Sequence, residues 1–533
     1  MGKDQSKTWR IDYDTQDTQD CRSMTNVLRS ARELLRRLLH GGAAGDAGSA
    51  GARLMASNAL IQIAARVLTM AVGVVTVALT ARTLKTDGYG VWSGVGSYTG
   101  LFAVLTDLGF VTIATQRMAA EPDREAEWLG ALVGVRITVS LIVAAICAVS
   151  IPLFLRSTGD SHAVAYIMTT TMLVAGPASL LAVFQSRLRS GLGLSFTVLQ
   201  WFIWLAAVVV LHAEHASVIA FALVNASILF FISALQIHAC RRFVDIAWRA
   251  GKRLWRQLLR QAIPIGVATV MITIYYQVDS VLLLQISGTK ETGVYGAAYG
   301  FLGPLIFLPA AVMGSFFPVL SAIHKRDPDR ADRLVQVCAD VMAAIGLPIL
   351  AGAIALSDPI IHLIYGSEFA RAGGLLPILM IAFVVICYGT LAGNLSVLLD
   401  LRWRFALYTT IGAVANVALN LVLIPPYGAY GSAWATVATE TITMALMLAT
   451  CLRAMQLRPH PAKTLRIIAL AAGMTGVMIL AKPLGLIPAG TIGMLVYAGG
   501  LLALRVVNRD ELRALRGRGG SDPDLIDVTG SLP

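Results

Sequence analysis

Roughly fourteen apolar runs, each about twenty residues long, follow one another through this 533-residue chain. They cover residues 54–80, 90–116, 129–155, 162–186, 192–212, 216–240, 262–287, 293–322, 338–365, 374–399, 405–425, 428–452, 464–481 and 486–504. Twenty apolar residues cross about 30 Å of hydrocarbon as an α-helix. Hydrocarbon offers the backbone no hydrogen-bond partner, so each run must pair its own N–H and C=O groups. An outer-membrane barrel would show short segments of alternating polarity, whereas these runs are continuously apolar. Only 14% of the residues are charged, against about 25% in soluble domains. A surface so poor in charge excludes a large soluble enzyme. Six cysteines are too few for a disulfide scaffold, and 56% hydrophobic residues exclude disorder in the bulk of the chain. The expected fold class is an all-α integral membrane protein with about 14 transmembrane helices.

The net charge of +12 raises the question of a nucleic-acid partner. The positions of the basic residues answer it. Residues 54–504 contain 29 Lys and Arg. With the amino terminus inside, 21 of these fall in cytoplasmic loops and 6 in outer loops, and Arg66 and Arg136 lie within spans. That is the positive-inside pattern of a multi-pass protein. The richest inside loop carries Arg241, Arg242, Arg249, Lys252, Arg253, Arg256 and Arg260. The reading is a multi-pass membrane protein with both termini cytoplasmic and no nucleic-acid partner.

Residues 1–53 form a polar tail without a signal-peptide core. Within it Val27, Leu28, Ala31, Leu34, Leu35 and Leu38 recur at helical spacing, with Arg29, Arg32, Arg36 and Arg37 between them. This predicts a basic amphipathic helix on the inner leaflet. The organisation that follows is an N-lobe over 54–240, a basic linker over 241–261 and a C-lobe over 262–455. Two extra helices then occupy 456–504, and a cytoplasmic tail 505–533.

The two lobes rest on a weak repeat at an offset of 203 residues. Gly90-Val91-Trp92 and Gly100 align with Gly293-Val294-Tyr295 and Gly303, and Asp87 pairs with Glu291 one position out of that register. Six helices separate the copies, and an even number preserves orientation. The lobes are therefore parallel repeats about an axis along the membrane normal. Around the first copy, Ala81-Arg82-Thr83-Leu84 and Asp87-Gly88-Tyr89-Gly90-Val91-Trp92 resemble the first-loop signature of bacterial oligosaccharide flippases. Asp107-Leu108-Gly109, Tyr365-Gly366-Ser367-Glu368-Phe369 with Leu376 to Leu379, and Asn416 to Asn420 followed by Leu423-Ile424-Pro425-Pro426-Tyr427-Gly428 and Gly431-Ser432-Ala433 are similar to later family blocks. The resemblance spans about residues 54–455 and points to the Wzx-like polysaccharide transporters of the MOP superfamily, relatives of the MATE exporters. It implies a MATE-like pair of six-helix lobes. It also implies transfer of an undecaprenyl-diphosphate-linked oligosaccharide from the inner to the outer leaflet, for O-antigen, capsule or exopolysaccharide synthesis. A polysaccharide polymerase and glycosyltransferases are the protein partners it suggests. The few cations of the first lobe depart from the lipid II flippases, so their substrate is not carried over.

A charge at mid-bilayer costs at least a few kcal/mol unless it meets water or a partner. The polar residues inside spans are therefore the candidate site. Arg66 is read near the middle of the first helix, where its guanidinium fork suits a diphosphate or acidic sugar. Arg136 and Asp107 are either cavity residues or an internal pair. Asp279 and Glu440 are candidates for proton or cation coupling, or else lobe contacts. Asn394, Asn416 and Asn420 are cavity or helix-packing residues, the last two on one helical face. Prolines 304, 309 and 318 interrupt the eighth span as hinges or static bends.

There is no GxxxxGK[ST] motif, no HExxH and no cysteine pair at zinc spacing. No cofactor or metal is expected. The outer loops are short, which disfavours a membrane glycosyltransferase or polymerase. A MATE-like antiporter of organic cations is the rival transporter reading, favoured by Asp279 and opposed by Arg66.

Overall fold

The computed structural model describes residues 47–155, 159–186, 191–240, 252–456 and 462–503. The amphipathic helix expected near 27–38, the basic stretch 241–251 and the tail beyond 503 lie outside these residues. Two compact units are distinguished, Met1–Ile63 and Ala64–Pro533. The described part of the first is the helical stretch 47–63, and the second holds the bundle.

Among the described residues there are helices and no strands. In chain order the first eight are α1 (Ala47–Ala103), α2 (Phe110–Ala120), α3 (Glu125–Phe154), α4 (Asp160–Thr170), α5 (Ala175–Ala178), α6 (Ala182–Ser186), α7 (Gly191–Ala213) and α8 (Val218–Cys240). The second half has α9 (Lys252–Ile286), α10 (Gly288–Tyr299), α11 (Leu302–Ile323), α12 (Pro328–Tyr365), α13 (Ala370–Leu398), α14 (Arg402–Tyr427) and α15 (Ala429–Met455). Then come α16 (Ala462–Ala481) and α17 (Leu486–Ala503). Among the described residues, thirteen stretches are long and apolar enough to cross a membrane. The first of them, Ala65–Ala120, takes in residues 65–80 of the first expected span and all of the second. The protein is thus a multi-pass membrane protein of the expected all-α class.

The repeat is visible in the backbone. α1 breaks at Lys85, whose φ is +56°. The residue 203 positions later is Gly288, with φ +84°. Both lobes therefore turn from their first to their second span through a left-handed residue at the same place. The sequence reading ended the first span at residue 80, because Arg82 and Lys85 suggested a loop. The helix runs five residues further, since the Arg82 guanidinium is taken up by backbone carbonyls at the end of α12. Arg66 stands nineteen residues before the break, about 28 Å along a straight helix.

Two further differences position the site. The second expected span, 90–116, is interrupted at Asp107-Leu108-Gly109, where Leu108 and Gly109 have φ of +42° and +81°. The Asp107 carboxylate accepts the Val111 N–H at 3.3 Å, closing the turn into α2. The linker read over 241–261 is helical from Lys252, in one piece with the seventh span. Leu254, Leu258 and Ala262 form one face of α9 and are buried with Phe110, Trp128 and Leu132 of the N-lobe. α9 thus begins on one lobe and ends in the other. The two extra helices lean on α12, where Thr464 donates to Asp340 at 3.0 Å and Tyr497 to the Ala344 carbonyl at 3.1 Å.

Candidate functional site

A groove of about 480 Å³ lies between the lobes. α1 lines it between Arg66 and Val77, Trp201 of α7 adds an indole, and Gly300, Phe301, Gly303, Pro304 and Leu305 with Ile364 and Tyr365 form the opposite wall. Arg66 is exposed there, and its guanidinium makes no hydrogen bond or ion pair with any described residue. An unengaged guanidinium in an otherwise apolar groove is a ready anchor for phosphate or carboxylate oxygens.

At the end bearing the signature loop the groove is sealed. The seam is reciprocal. A Cβ on Gly90 would run into the Thr289 carbonyl, and one on Gly293 would run into the Thr86 carbonyl. Thr86 and Thr289 are themselves repeat mates, 203 residues apart. The contact is therefore the intramolecular counterpart of an isologous interface on a two-fold axis. Around it Thr289 donates to Asp87 at 2.9 Å, and Lys85 lies 3.7 Å from Glu368. Arg82 Nε donates to the Ile364 carbonyl at 3.0 Å. Tyr89 meets Phe369 edge-on with centroids 5.8 Å apart. The glycines supply the close backbone approach, and the polar pairs hold the register.

In the C-lobe, residues far apart in sequence converge. Asp279 is buried in α9. Its Oδ2 accepts from Thr436 at 2.8 Å and Tyr295 at 3.0 Å, and its Oδ1 accepts from Asn420 at 2.8 Å. Asn416 extends the network to Thr439 at 3.5 Å. The i, i+4 pair on α14 therefore faces the acid, as the spacing suggested. Glu440, also buried, borders an adjoining cavity of about 380 Å³ with Tyr275, Tyr276 and Asn394. Asn394 donates to the Thr390 carbonyl at 2.9 Å. No described Lys, Arg or His pairs with either carboxylate. Two buried acids without a cationic partner are a costly arrangement unless a proton or cation neutralises them.

Arg136 is placed elsewhere. Buried inside the N-lobe, it donates to the Thr106 carbonyl at 3.2 Å and to Ser179 at 3.0 Å. Asp107 is 3.9 Å away and nearly half exposed. The guanidinium ties the broken end of α1 to α3 and the α5–α6 region. Neither residue borders the groove that holds Arg66. Arg136→Met should lower stability by about 2 kcal/mol through the lost charged hydrogen bonds. Thermal unfolding of the purified protein in detergent measures this, and an unchanged midpoint would contradict the strut.

Comparison with known proteins adds to this geometry. Residues 55–324, just over half of the chain, match the family described as "Polysaccharide biosynthesis protein". The chain belongs to that family. Its matched segment contains Arg66, both copies of the glycine seam and Asp279, while Asn394, Asn416, Asn420 and Glu440 lie beyond it. A curated relative, "Probable flippase AglR" of Haloferax volcanii, is 28% identical over 191 residues, 35% of this chain and 40% of that protein. "Probable low-salt glycan biosynthesis flippase Agl15" of the same organism is 25% identical over 174 residues, 32% and 37% of the two chains. The matches thus span about two fifths of the relatives' length. The solved structure of "Lipid II flippase MurJ, inward closed conformation" aligns over 86% of this chain and 99% of its own, at TM-score 0.67 and 14% identity. An inward-facing MATE multidrug transporter aligns over 73% and 98%, at TM-score 0.55 and 14% identity. At such identity these two establish a shared fold.

For this polysaccharide-family member, reading charges alone missed several site residues. Tyr295 and Thr436 hold Asp279, yet hydroxyls in apolar runs are common and carry no linear signal. Trp201 has its signal in composition, as an indole next to Gln200 in the middle of a span.

Proposed function

We propose that the protein is a transporter that flips a lipid-linked oligosaccharide from the inner to the outer leaflet of a bacterial plasma membrane. The lipid carrier is an undecaprenyl diphosphate, and both termini face the cytoplasm. The observation that carries the reading is the inter-lobe groove, with a free guanidinium at one end and a glycine seam at the other. Family membership, the flippase relatives and the MurJ-like fold support it. The diphosphate is held by Arg66 and the glycan lies in the groove, while the prenyl tail stays in lipid. Parting of the seam exposes the groove to the opposite side, which is alternating access without covalent chemistry. Outward movement of negative charge is favoured by an inside-negative potential, by about 2.3 kcal/mol per charge at 100 mV. Asp279 and Glu440 take up and release a proton or cation during the cycle, with Asn416 and Asn420 orienting the first acid. Arg136 with Asp107 braces the N-lobe, and Asn394 lines the Glu440 cavity.

The acidic C-lobe is the one observation that favours a MATE-like exporter of organic cations. Deletion of the gene separates the two. The flippase reading expects loss of surface polysaccharide and a lipid-linked intermediate held on the inner leaflet, with cationic-drug sensitivity unchanged. Drug hypersensitivity with normal surface glycan would establish the antiporter instead. In reconstituted vesicles, Asp279→Asn should abolish the response of flipping to an imposed ion gradient. An undiminished response would remove the acid from coupling.

A further inference from the structure

The N-lobe holds a second cavity, of about 300 Å³, within the usual range of small-molecule sites. It lies among α1, α7 and α8, and three indoles border it: Trp92, Trp201 and Trp204. Trp92 and Trp204 run nearly parallel, 15° between planes with centroids 5.9 Å apart. Gln200 and Asn225 also line it, and their amides make no hydrogen bond with any described residue. No charged side chain is part of the lining.

Unengaged amides inside membrane spans are expensive unless something polar meets them. The repeat sharpens the contrast. Thr76, on the wall of this chamber, is the mate of Asp279, and Trp92 is the mate of Tyr295. In the C-lobe the mates are locked together, Tyr295 donating to Asp279. In the N-lobe Thr76 bonds only its own helix, at the Val72 carbonyl, and Trp92 leaves a cavity beside it. The same fold position is thus filled and acidic in one lobe, open and neutral in the other. Val77 and Trp201 border both this chamber and the Arg66 groove, so the two cavities share a wall. Thr76 lies ten residues from Arg66 on α1, about 15 Å along the axis.

The geometry points to the chamber as the saccharide subsite, taking an uncharged pyranose of the glycan while Arg66 holds the diphosphate. This rests on the flippase reading and extends it. A pyranose presents C–H faces that stack on indole and hydroxyls that both donate and accept. Carboxamides match the hydroxyls in both senses. An acidic sugar would find no counter-charge there. The N-lobe therefore selects the glycan, and the C-lobe's acids remain free for coupling.

The test uses the full-length protein in nanodiscs with two ligands, measured by native mass spectrometry. One is farnesyl diphosphate, which carries no sugar. The other is the undecaprenyl-diphosphate oligosaccharide pool extracted from the producing cells. The wild type should bind the oligosaccharide lipid at least about tenfold more tightly than farnesyl diphosphate. The Gln200→Leu/Asn225→Leu double variant and Trp204→Ala, whose indole borders the chamber and not the groove, should each remove most of that preference and leave farnesyl diphosphate binding unchanged, which also reports correct folding. Trp204→Phe, which keeps a ring, should retain part of it. A preference undiminished in all three variants overturns the chamber and leaves the flippase reading standing. Equal wild-type binding of both ligands also overturns the chamber. Failure of the wild type to bind either ligand overturns the flippase reading, and the chamber with it.

Discussion

Gly90→Val is expected to abolish transport while leaving each lobe folded. The new side chain would occupy the position of the Thr289 carbonyl across the seam. That obstacle is backbone, so it cannot swing aside as a flexible side chain would. Overpacking of this kind costs about 1–3 kcal/mol even where relaxation is available. Here relaxation means parting the lobes, which also loosens the Thr289–Asp87 hydrogen bond and the Arg82 contacts with α12. A loss of about 3 kcal/mol shifts an open–closed equilibrium more than 100-fold. Flipping should fall at least about tenfold, because the sealed state is one of the two the cycle needs. The reciprocal seam makes Gly293→Val equally damaging, and the double variant little worse than either alone. Gly96→Ala, where a Cβ meets open space, should be silent. Asp87→Cys with Thr289→Cys reads the seam directly. The pair should cross-link when both glycines are intact and fail to do so in Gly90→Val. Equal cross-linking in the two backgrounds would show that the seam tolerates a side chain.

Arg66→Ala carries the second large effect. The guanidinium is exposed, engages no described residue and stands in an apolar groove. Its removal should leave the melting temperature unchanged, because no internal bond is broken. Bidentate charged hydrogen bonds contribute about 1.5–3 kcal/mol each, so binding of a diphosphate lipid should weaken about 100-fold. Arg66→Lys should recover only part of the loss, since an ammonium offers a point charge instead of a planar fork. Steady-state binding and initial flipping rates, measured side by side, check both statements. A stable Arg66→Ala protein with wild-type affinity would assign the diphosphate to another group.

The fold was legible because bilayer physics is strict. Length, apolarity and the sorting of Lys and Arg are enough to specify spans, and the 203-residue repeat pairs the lobes. Boundaries were less legible where a charged residue is satisfied by distant backbone. Arg82 reads as a loop residue until the carbonyls of Leu363 and Ile364 are beside it. The N-terminal third of α9 was masked by its arginines, although Leu254, Leu258 and Ala262 at four-residue spacing mark a buried face. Single charges inside spans are legible as anomalies, which is why Arg66, Asp279 and Glu440 stand as candidates. Their grouping is not. Asp279 meets Asn420 and Thr436 across 141 and 157 residues, and only the packing of α9, α14 and α15 brings them together. The tryptophan chamber escaped for the same reason: its amides and indoles come from three helices and carry no charge to draw attention.

Reconstitution decides the matter most directly. Purified protein is placed in vesicles with a radiolabelled undecaprenyl-diphosphate oligosaccharide from the producing cells, starting in one leaflet. A membrane-impermeant glycosidase added outside then reports how fast the glycan crosses. A flippase should transfer the glycan at least about tenfold faster than protein-free vesicles, with the gain lost in Arg66→Ala and in Gly90→Val. Transfer no faster than in protein-free vesicles would contradict glycan flipping, and full-speed transfer by both variants would contradict the groove and seam as its route.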